Sequence, residues 1–81
     1  MQLDLFPTTI HLHCVDPARN KRRFYALQLQ RTLFGQWAVV REWGRIGSRV
    51  GQRLEQWFDD PAAAHAFMNQ LEKSKRHRGY H

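Results

Sequence analysis

Four short segments in which apolar and polar residues alternate follow one another along this chain, and they constrain its fold more than any other feature. Such alternation is typical of strands with one buried face. We place the strands at residues 8–15, 22–30, 36–43 and 52–58. Because the connections between them are short, neighbouring strands are expected to pair in antiparallel order. The pattern therefore predicts an antiparallel meander of about four strands.

A single helix is predicted after the last strand, from residue 61 to about residue 74. Asp60 suits the N-cap and Pro61 suits the first helical position. Side chains at spacings of three and four mark the predicted packing face: Ala63, Ala66, Phe67, Gln70 and Leu71, with Met68 beside them. A sheet with one apolar face needs a cover, and this helix can supply it. The expected class is α+β, a single small domain with one C-terminal helix packed on one face of the sheet.

The chain length of 81 residues fits one small domain. We assign residues 9–80 to this domain and residues 1–8 to an N-terminal lead-in whose apolar side chains could pack on the domain or on a partner. No signal peptide is expected, and no apolar run approaches the roughly 20 residues that span a bilayer. A single cysteine excludes an internal disulfide and fits a reducing cytoplasm.

The charge favours polyanionic partners. Lys and Arg number 13 against 7 Asp and Glu, a formal net charge of +6. DNA is the first expectation, then RNA, then an anionic membrane surface. Most basic residues fall into three groups: Arg19, Lys21, Arg22 and Arg23; Arg41, Arg45, Arg49 and Arg53; and Lys73, Lys75, Arg76 and Arg78. Since these groups are far apart in sequence, a single basic face depends on how the fold brings them together.

Trp43-Gly44-Arg45 combines an aromatic face, a residue without a side chain and a guanidinium where the third strand ends. A nucleic-acid backbone or end could stack on the ring, approach closely and be held by the cation. The structural alternative is a core Trp, a bulge Gly and a solvated Arg. Alternation leaves open whether Trp43 faces the core or the outside. If Trp43 and Arg41 share the core side, Arg41 is expected near an edge.

Other chemistries find little support in the sequence. His11 and His13 share one strand face, but no second pair has ligand spacing, so we expect no metal and no cofactor. Cys14 lies in the apolar set of its strand and is predicted to be buried rather than nucleophilic. Three glycines lack the spacing of nucleotide fingerprints and are predicted at turn and bulge positions: Gly44, Gly47 and Gly51. We expect no catalysis and no small-molecule substrate, because no paired carboxylates or ordinary-sized pocket can be argued.

Several motifs, in their order along the chain, resemble those of the WGR domain family. Residues 20–25 (NKRRFY) resemble the family's strand entry, and residues 43–47 (WGRIG) with 51–52 (GQ) resemble its central motif. Residues 58–67 resemble its passage from strand to helix. Residues 75–80 resemble its closing Lys-x-x-x-Gly-Tyr. The resemblance covers about residues 9 to 80, nearly the whole chain.

This resemblance implies an antiparallel sheet with a helix on one face and a role in binding DNA. In the poly(ADP-ribose) polymerases that carry the domain, the motif Trp meets the sugar at a DNA 5′ end near a break. The motif Arg contacts DNA and helps couple neighbouring domains. Carried over, Trp43 would stack at a terminus and Arg45 would clamp the backbone or bridge to a partner. Without a catalytic domain or zinc fingers, the chain resembles the short stand-alone bacterial members.

We therefore predict a non-enzymatic DNA-binding module that contacts the phosphate backbone or DNA ends with little sequence specificity. The expected partner is duplex DNA, with ends or nicks as an option, and no membrane; the expected location is the cytoplasm, with the nucleoid if the protein is bacterial. The predicted DNA-binding residues are Trp43, Gly44, Arg45, Arg49, Arg53, Lys21, Lys75, Arg76 and Arg78. The alternatives are a protein-interaction module using the Trp-Gly-Arg surface, which an apolar rim around Trp43 would favour, and RNA binding.

Overall fold

The computed structural model describes residues 9–81 as a sheet of four antiparallel strands with one long helix. The elements are β1 (Thr9–Asp16), a 3-10 turn (Pro17–Arg19), β2 (Lys21–Arg31), β3 (Trp37–Arg45), β4 (Gln52–Phe58) and α1 (Pro61–His77). The strands lie in the order β1-β2-β3-β4, so the predicted meander and the α+β class are confirmed. No helix within the described residues is long and apolar enough to cross a membrane. The predicted lead-in at residues 1–8 lies outside those residues.

The end of β3 differs from the sequence prediction because β2 and β3 stay paired for two residues longer. Gly44 lies opposite Phe24, and Arg45 lies opposite Arg23. Gly44 is therefore a regular ladder position, and its prediction as a bulge was wrong. A Cβ atom at Gly44 would lie 3.2 Å from the Cα of Gly51 and 3.2 Å from Cε1 of Phe24. A larger residue at this position would have to displace these neighbours by a few tenths of an ångström, so glycine suits the close approach of the chain segments.

One face of the sheet packs under α1 and forms the core. Tyr25, Leu27 and Leu29 of β2 point to this face, and the residues opposite them on β3 share it. The buried core consists of Leu12, Cys14, Tyr25, Leu27, Leu29, Val39, Ala64, Met68 and Tyr80. Arg41 and Trp43 pair with Leu27 and Tyr25, which places both on the side covered by the helix. The burial predicted for Cys14 is confirmed.

The face that α1 presents to the sheet is turned by one position from the predicted one. Ala64 and Met68 are buried, and Phe67 and Leu71 pack partly against the core. Three residues predicted on the packing face are exposed: Ala63, Ala66 and Gln70. The larger apolar side chains decide the orientation, because burial free energy grows with apolar area and alanines contribute little.

Both ends of α1 are capped, and the C-terminal cap returns the chain to the core. Asp60 Oδ1 accepts a hydrogen bond from the Ala62 amide at 3.0 Å, as predicted for an N-cap. At the other end Gly79 has φ +101°, and the Tyr80 amide donates to the Lys75 carbonyl at 3.1 Å. This is a Schellman arrangement. It turns the Tyr80 side chain into the core, where it is 8% exposed, beside the last turn of α1.

Candidate functional site

The Trp-Gly-Arg stretch lies where β3 leaves the sheet, and hydrogen bonds fix its course. The Ile46 amide donates to the Arg22 carbonyl at 2.9 Å, which holds the strand end against β2. The Ser48 amide donates to the Arg45 carbonyl at 3.1 Å across a tight turn in which Gly47 has φ +88°. Arg45 donates to Asn20 through two long contacts of 3.4 Å while its side chain stays exposed. The motif therefore sits on a defined edge of the sheet.

Two cavities border Trp43. The outer cavity, about 470 Å³, is lined by Arg23, Phe24, Trp43, Gly44, Arg45, Lys75 and Tyr80. The inner cavity, about 340 Å³, is lined by Tyr25, Arg41, Trp43, Leu71, Ser74, Lys75 and Arg78. Trp43 and Lys75 line both. We call the two cavities together the cationic cleft.

The cleft concentrates positive charge without internal neutralisation. Its cations come from β2, β3 and the end of α1: Arg23, Arg41, Arg45, Lys75 and Arg78. Among the described residues that line the two cavities there is no carboxylate. Arg23 and Arg45 lie directly opposite each other on paired strands, an arrangement of like charges that destabilises a sheet. An anion placed between them would remove that repulsion.

The environment of the cleft lowers the pKa of Lys75. Burial is the largest cause that lowers the pKa of its ammonium, and the neighbouring charges of Arg78, Arg41 and Arg23 lower it further. Both effects disfavour the charged form of a lysine that has no anion beside it. A negatively charged ligand in the cleft would reverse the second effect.

Trp43 occupies the boundary between core and cleft. Its ring centroid is 6.3 Å from that of Tyr25, and the side chain is half-buried. Trp43 therefore faces the core side of the sheet, where one side of its ring packs on the core and the other borders the cavities. Arg41 shares this side with Trp43, and the sequence reasoning then required it to lie near an edge of the sheet. It lies instead on the inner strand β3, so that expectation was wrong. Aromatic rings cover its guanidinium there, and Phe67 lies 5.8 Å from it.

The structure brings together some of the predicted site residues and separates others. Trp43, Gly44, Arg45, Lys75 and Arg78 line the cationic cleft. Arg49 is exposed in the loop between β3 and β4, and Lys21 is at the start of β2, on the same side of that strand as Arg23. Neither lines the two cavities.

Arg53 and Arg76 point away from the cleft and are ion-paired. Arg53 lies on the face of the sheet opposite α1, with Nη2 2.9 Å from Glu55 Oε2 and Nη1 3.7 Å from Glu42 Oε2. Arg76 Nε lies 2.9 Å from Glu72 Oε2 on α1. Their contribution to ligand binding stays a prediction, with nearby carboxylates already neutralising much of their charge.

Seven residues of the cleft were not among the predicted site residues: Arg23, Phe24, Tyr25, Arg41, Leu71, Ser74 and Tyr80. Alternation along β2 does indicate that Arg23 shares a face with Tyr25. Only the pairing register places Arg23 opposite Arg45. Tyr80 reaches the cleft through the turn at Gly79.

Comparison with known proteins agrees with this architecture. The profile of the WGR domain matches residues 8–81. An uncharacterized protein of Sinorhizobium fredii, y4dW, is 36% identical over 74 residues, which cover 91% of this chain and 36% of the relative. The chain thus spans little more than a third of the length of this curated relative. The profile covers nearly all the residues that form the sheet, the helix and the cleft, and the chain belongs to the WGR domain family.

Proposed function

We propose that this chain is a non-catalytic nucleic-acid-binding module whose cationic cleft holds the sugar-phosphate backbone of DNA with little sequence specificity. The observation that carries the proposal is the cleft itself. Five cations surround Trp43, and no carboxylate of the described residues lines either cavity. Clusters of Arg and Lys bind the phosphates of a nucleic-acid backbone through charge-assisted hydrogen bonds and charge neutralisation. The WGR family adds support, because its members in poly(ADP-ribose) polymerases bind DNA.

Each side chain of the cleft has a role in this proposal. Trp43 offers a partly exposed ring against which a sugar or terminal base can stack. Gly44 lines the outer cavity with its backbone alone. Arg23 and Arg45 bind phosphate on one side, and Lys75 reaches it from the helix. Arg49 and Lys21 extend the positive surface beyond the cleft, where contacts are weaker and more sensitive to salt.

The rim of the cleft favours nucleic acid over a protein partner. An apolar rim around Trp43 would support a protein-interaction module. Apart from Ser74, the exposed side chains that line the two cavities are instead cationic: Arg23, Arg45 and Arg78. We further propose a cytoplasmic location, associated with the nucleoid if the protein is bacterial, because DNA is found there. Within residues 9–81 the one α-helix covers the sheet, so no helix there is free to read bases in the major groove.

The proposal is tested by binding of labelled nicked, blunt-ended and closed circular duplexes and of RNA of the same sequence. We expect DNA affinity to fall steeply with salt, with a slope that reflects roughly three to six phosphate contacts. Trp43→Ala should weaken binding about tenfold or more through lost stacking. The control is Trp57→Ala, which removes a tryptophan that is 47% exposed on the opposite face of the sheet.

Five outcomes of this experiment would count against the proposal or narrow it. Absence of binding, or an affinity that does not depend on salt, contradicts a phosphate-binding cleft. Equal loss in the Trp43 and Trp57 variants contradicts the location of the site. Equal affinity for circular and nicked DNA excludes recognition of ends. Tighter binding to RNA than to DNA would assign the cleft to RNA.

DNA affinity is also expected to depend on pH through Lys75. A bound phosphate favours the charged ammonium and raises its pKa above the lowered value of the free protein. Below the free-protein pKa, Lys75 is charged in both states and its titration does not change affinity. As the pH rises through that pKa towards the value in the complex, binding requires proton uptake, and affinity falls.

The pH effect is measured from affinity against pH and from calorimetry in buffers of different ionisation enthalpy. Lys75→Arg is the matched control, because a guanidinium keeps its charge throughout. The aromatic rings that pack on the Lys75 ammonium, those of Tyr25 and Tyr80, are unchanged in this variant; their centroids lie 4.7 and 5.4 Å from Nζ. Identical pH profiles for the two proteins would contradict the assignment to Lys75.

A further inference from the structure

Arg41 is a cation in an unusual position, half-buried on an inner strand beneath the helix. Its guanidinium carbon lies 5.9 Å from the centroid of the Trp43 ring and 5.8 Å from that of Phe67. Its Nε atom is buried and has no hydrogen-bond partner within residues 9–81. Buried charges in folded proteins are normally paired, because desolvation without a partner costs free energy. The position of Arg41 therefore calls for an anion that the described residues do not supply.

The inner cavity is built to receive such an anion. Arg41 forms its sheet side, and Ser74, Lys75 and Arg78 approach from α1. The negative end of the helix dipole lies nearby and is equivalent to about half a charge. The positive charges of Arg41, Lys75 and Arg78 together outweigh this partial negative charge. Two of the last carbonyls of α1, those of Lys75 and Arg76, already accept bonds from the amides of residues 80 and 79, so the cationic side chains are not needed to cap them.

We infer that the inner cavity is a second phosphate subsite, in which Arg41, Lys75 and Arg78 bind one backbone phosphate while Arg23 and Arg45 bind its neighbour in the outer cavity. The inference rests on the proposed function and gives the ligand a definite shape. Trp43 and Lys75 line both cavities, so the two phosphates lie beside the same indole ring. The sugar between them contacts that ring. The ligand is thus a strand that can place successive phosphates around an aromatic side chain.

The test removes the charge of Arg41 and keeps its packing. Arg41→Met retains an apolar stem between the rings of Trp43 and Phe67. We expect it to weaken binding of nicked duplex roughly 10- to 100-fold and to lower the salt slope by about one. Arg31→Met is the control, since Arg31 also lies over an aromatic ring, 5.1 Å from the centroid of Trp37, but is exposed and outside the cleft. Its effect should be small.

Neutral methylphosphonate linkages, placed one at a time in the oligonucleotide, identify the phosphate involved. A neutral linkage at one position should weaken binding by the wild type and have little further effect on binding by Arg41→Met. The neighbouring position should weaken both proteins. If every position affects the two proteins equally, no single phosphate belongs to Arg41, and the inference is wrong. Arg78→Gln, an exposed change at the C-cap of α1, repeats the test if Arg41→Met does not fold by circular dichroism.

A second probe separates the inner subsite from DNA binding as such. With Trp37 and Trp57 replaced by Phe, Trp43 fluorescence reports titration with inorganic pyrophosphate, which offers two linked phosphates without a sugar or base. If DNA binds and Arg41→Met keeps full affinity and slope, the inner subsite is refuted while the proposed function stands. If no nucleic acid binds but pyrophosphate changes the fluorescence only when Arg41 is present, the subsite stands and the DNA proposal fails.

Discussion

DNA affinity is expected to fall about 100-fold or more when Lys75 is replaced by glutamate, the largest loss we expect from one change in the cleft. Lys75 lines both cavities, so its charge acts on every phosphate bound beside Trp43. A glutamate there would repel phosphate and would also pair with arginines that now have no carboxylate partner in the cleft. Those pairs would offset the small unfavourable effect of an acid near a helix C-terminus, roughly 0.3–1 kcal/mol. The variant should therefore fold.

The same charge reversal at Lys73 provides the control. Lys73 is exposed near the same end of α1 but lies outside the cationic cleft. Lys73→Glu changes the net charge by the same amount and should alter affinity only through the screened field of the whole protein. Both variants are compared by titration at two salt concentrations. Equal losses would mean that overall charge, and not the cleft, carries the binding.

Thermal stability is expected to fall strongly when Gly51 is replaced by asparagine. A Cβ atom at Gly51 would lie 2.9 Å from the carbonyl oxygen of Trp43 and 3.5 Å from Cζ of Phe24. The carbonyl belongs to the backbone of β3, so it cannot move aside without moving the Trp43 side chain. Such overpacking costs about 2–3 kcal/mol, which corresponds to a fall in Tm of roughly 10 to 20 °C for a domain of this size.

The control for this steric effect is asparagine at Gly47, in the same loop. Gly47 has φ +88°, and a Cβ atom there would meet nothing within 4 Å. Asparagine tolerates the left-handed region better than other residues, so we expect a loss below about 1 kcal/mol. Both variants are measured by thermal and urea unfolding. If Gly51→Asn is no less stable than Gly47→Asn, a Cβ atom at Gly51 does not clash with the Trp43 carbonyl, and the prediction is wrong.

The sequence by itself determined the secondary-structure elements of this protein and predicted the class of its ligand. Alternation of apolar residues predicted four strands and their antiparallel order, and Asp60-Pro61 predicted the start of the helix. The excess of basic residues indicated a polyanion. These features are local or compositional, since each depends on side chains a few residues apart or on their total number. The order of several motifs was sufficient to identify the family, which the profile match confirms.

Only the tertiary structure decided which residues share the cleft, because pairing register and side-chain parity are set by the turns. Arg41 and Arg45 share the helix side of β3, and their even spacing along one strand predicts that. Arg53 continues the same four-residue interval but lies on the other face. The turn between β3 and β4 pairs Arg41 with Leu54 and Glu42 with Arg53, so odd positions on one strand meet even positions on the next. Between β2 and β3, odd positions meet odd ones, and this brings Arg23 opposite Arg45. A one-residue change in either turn would exchange the faces, and periodicity within a strand carries no information about that choice.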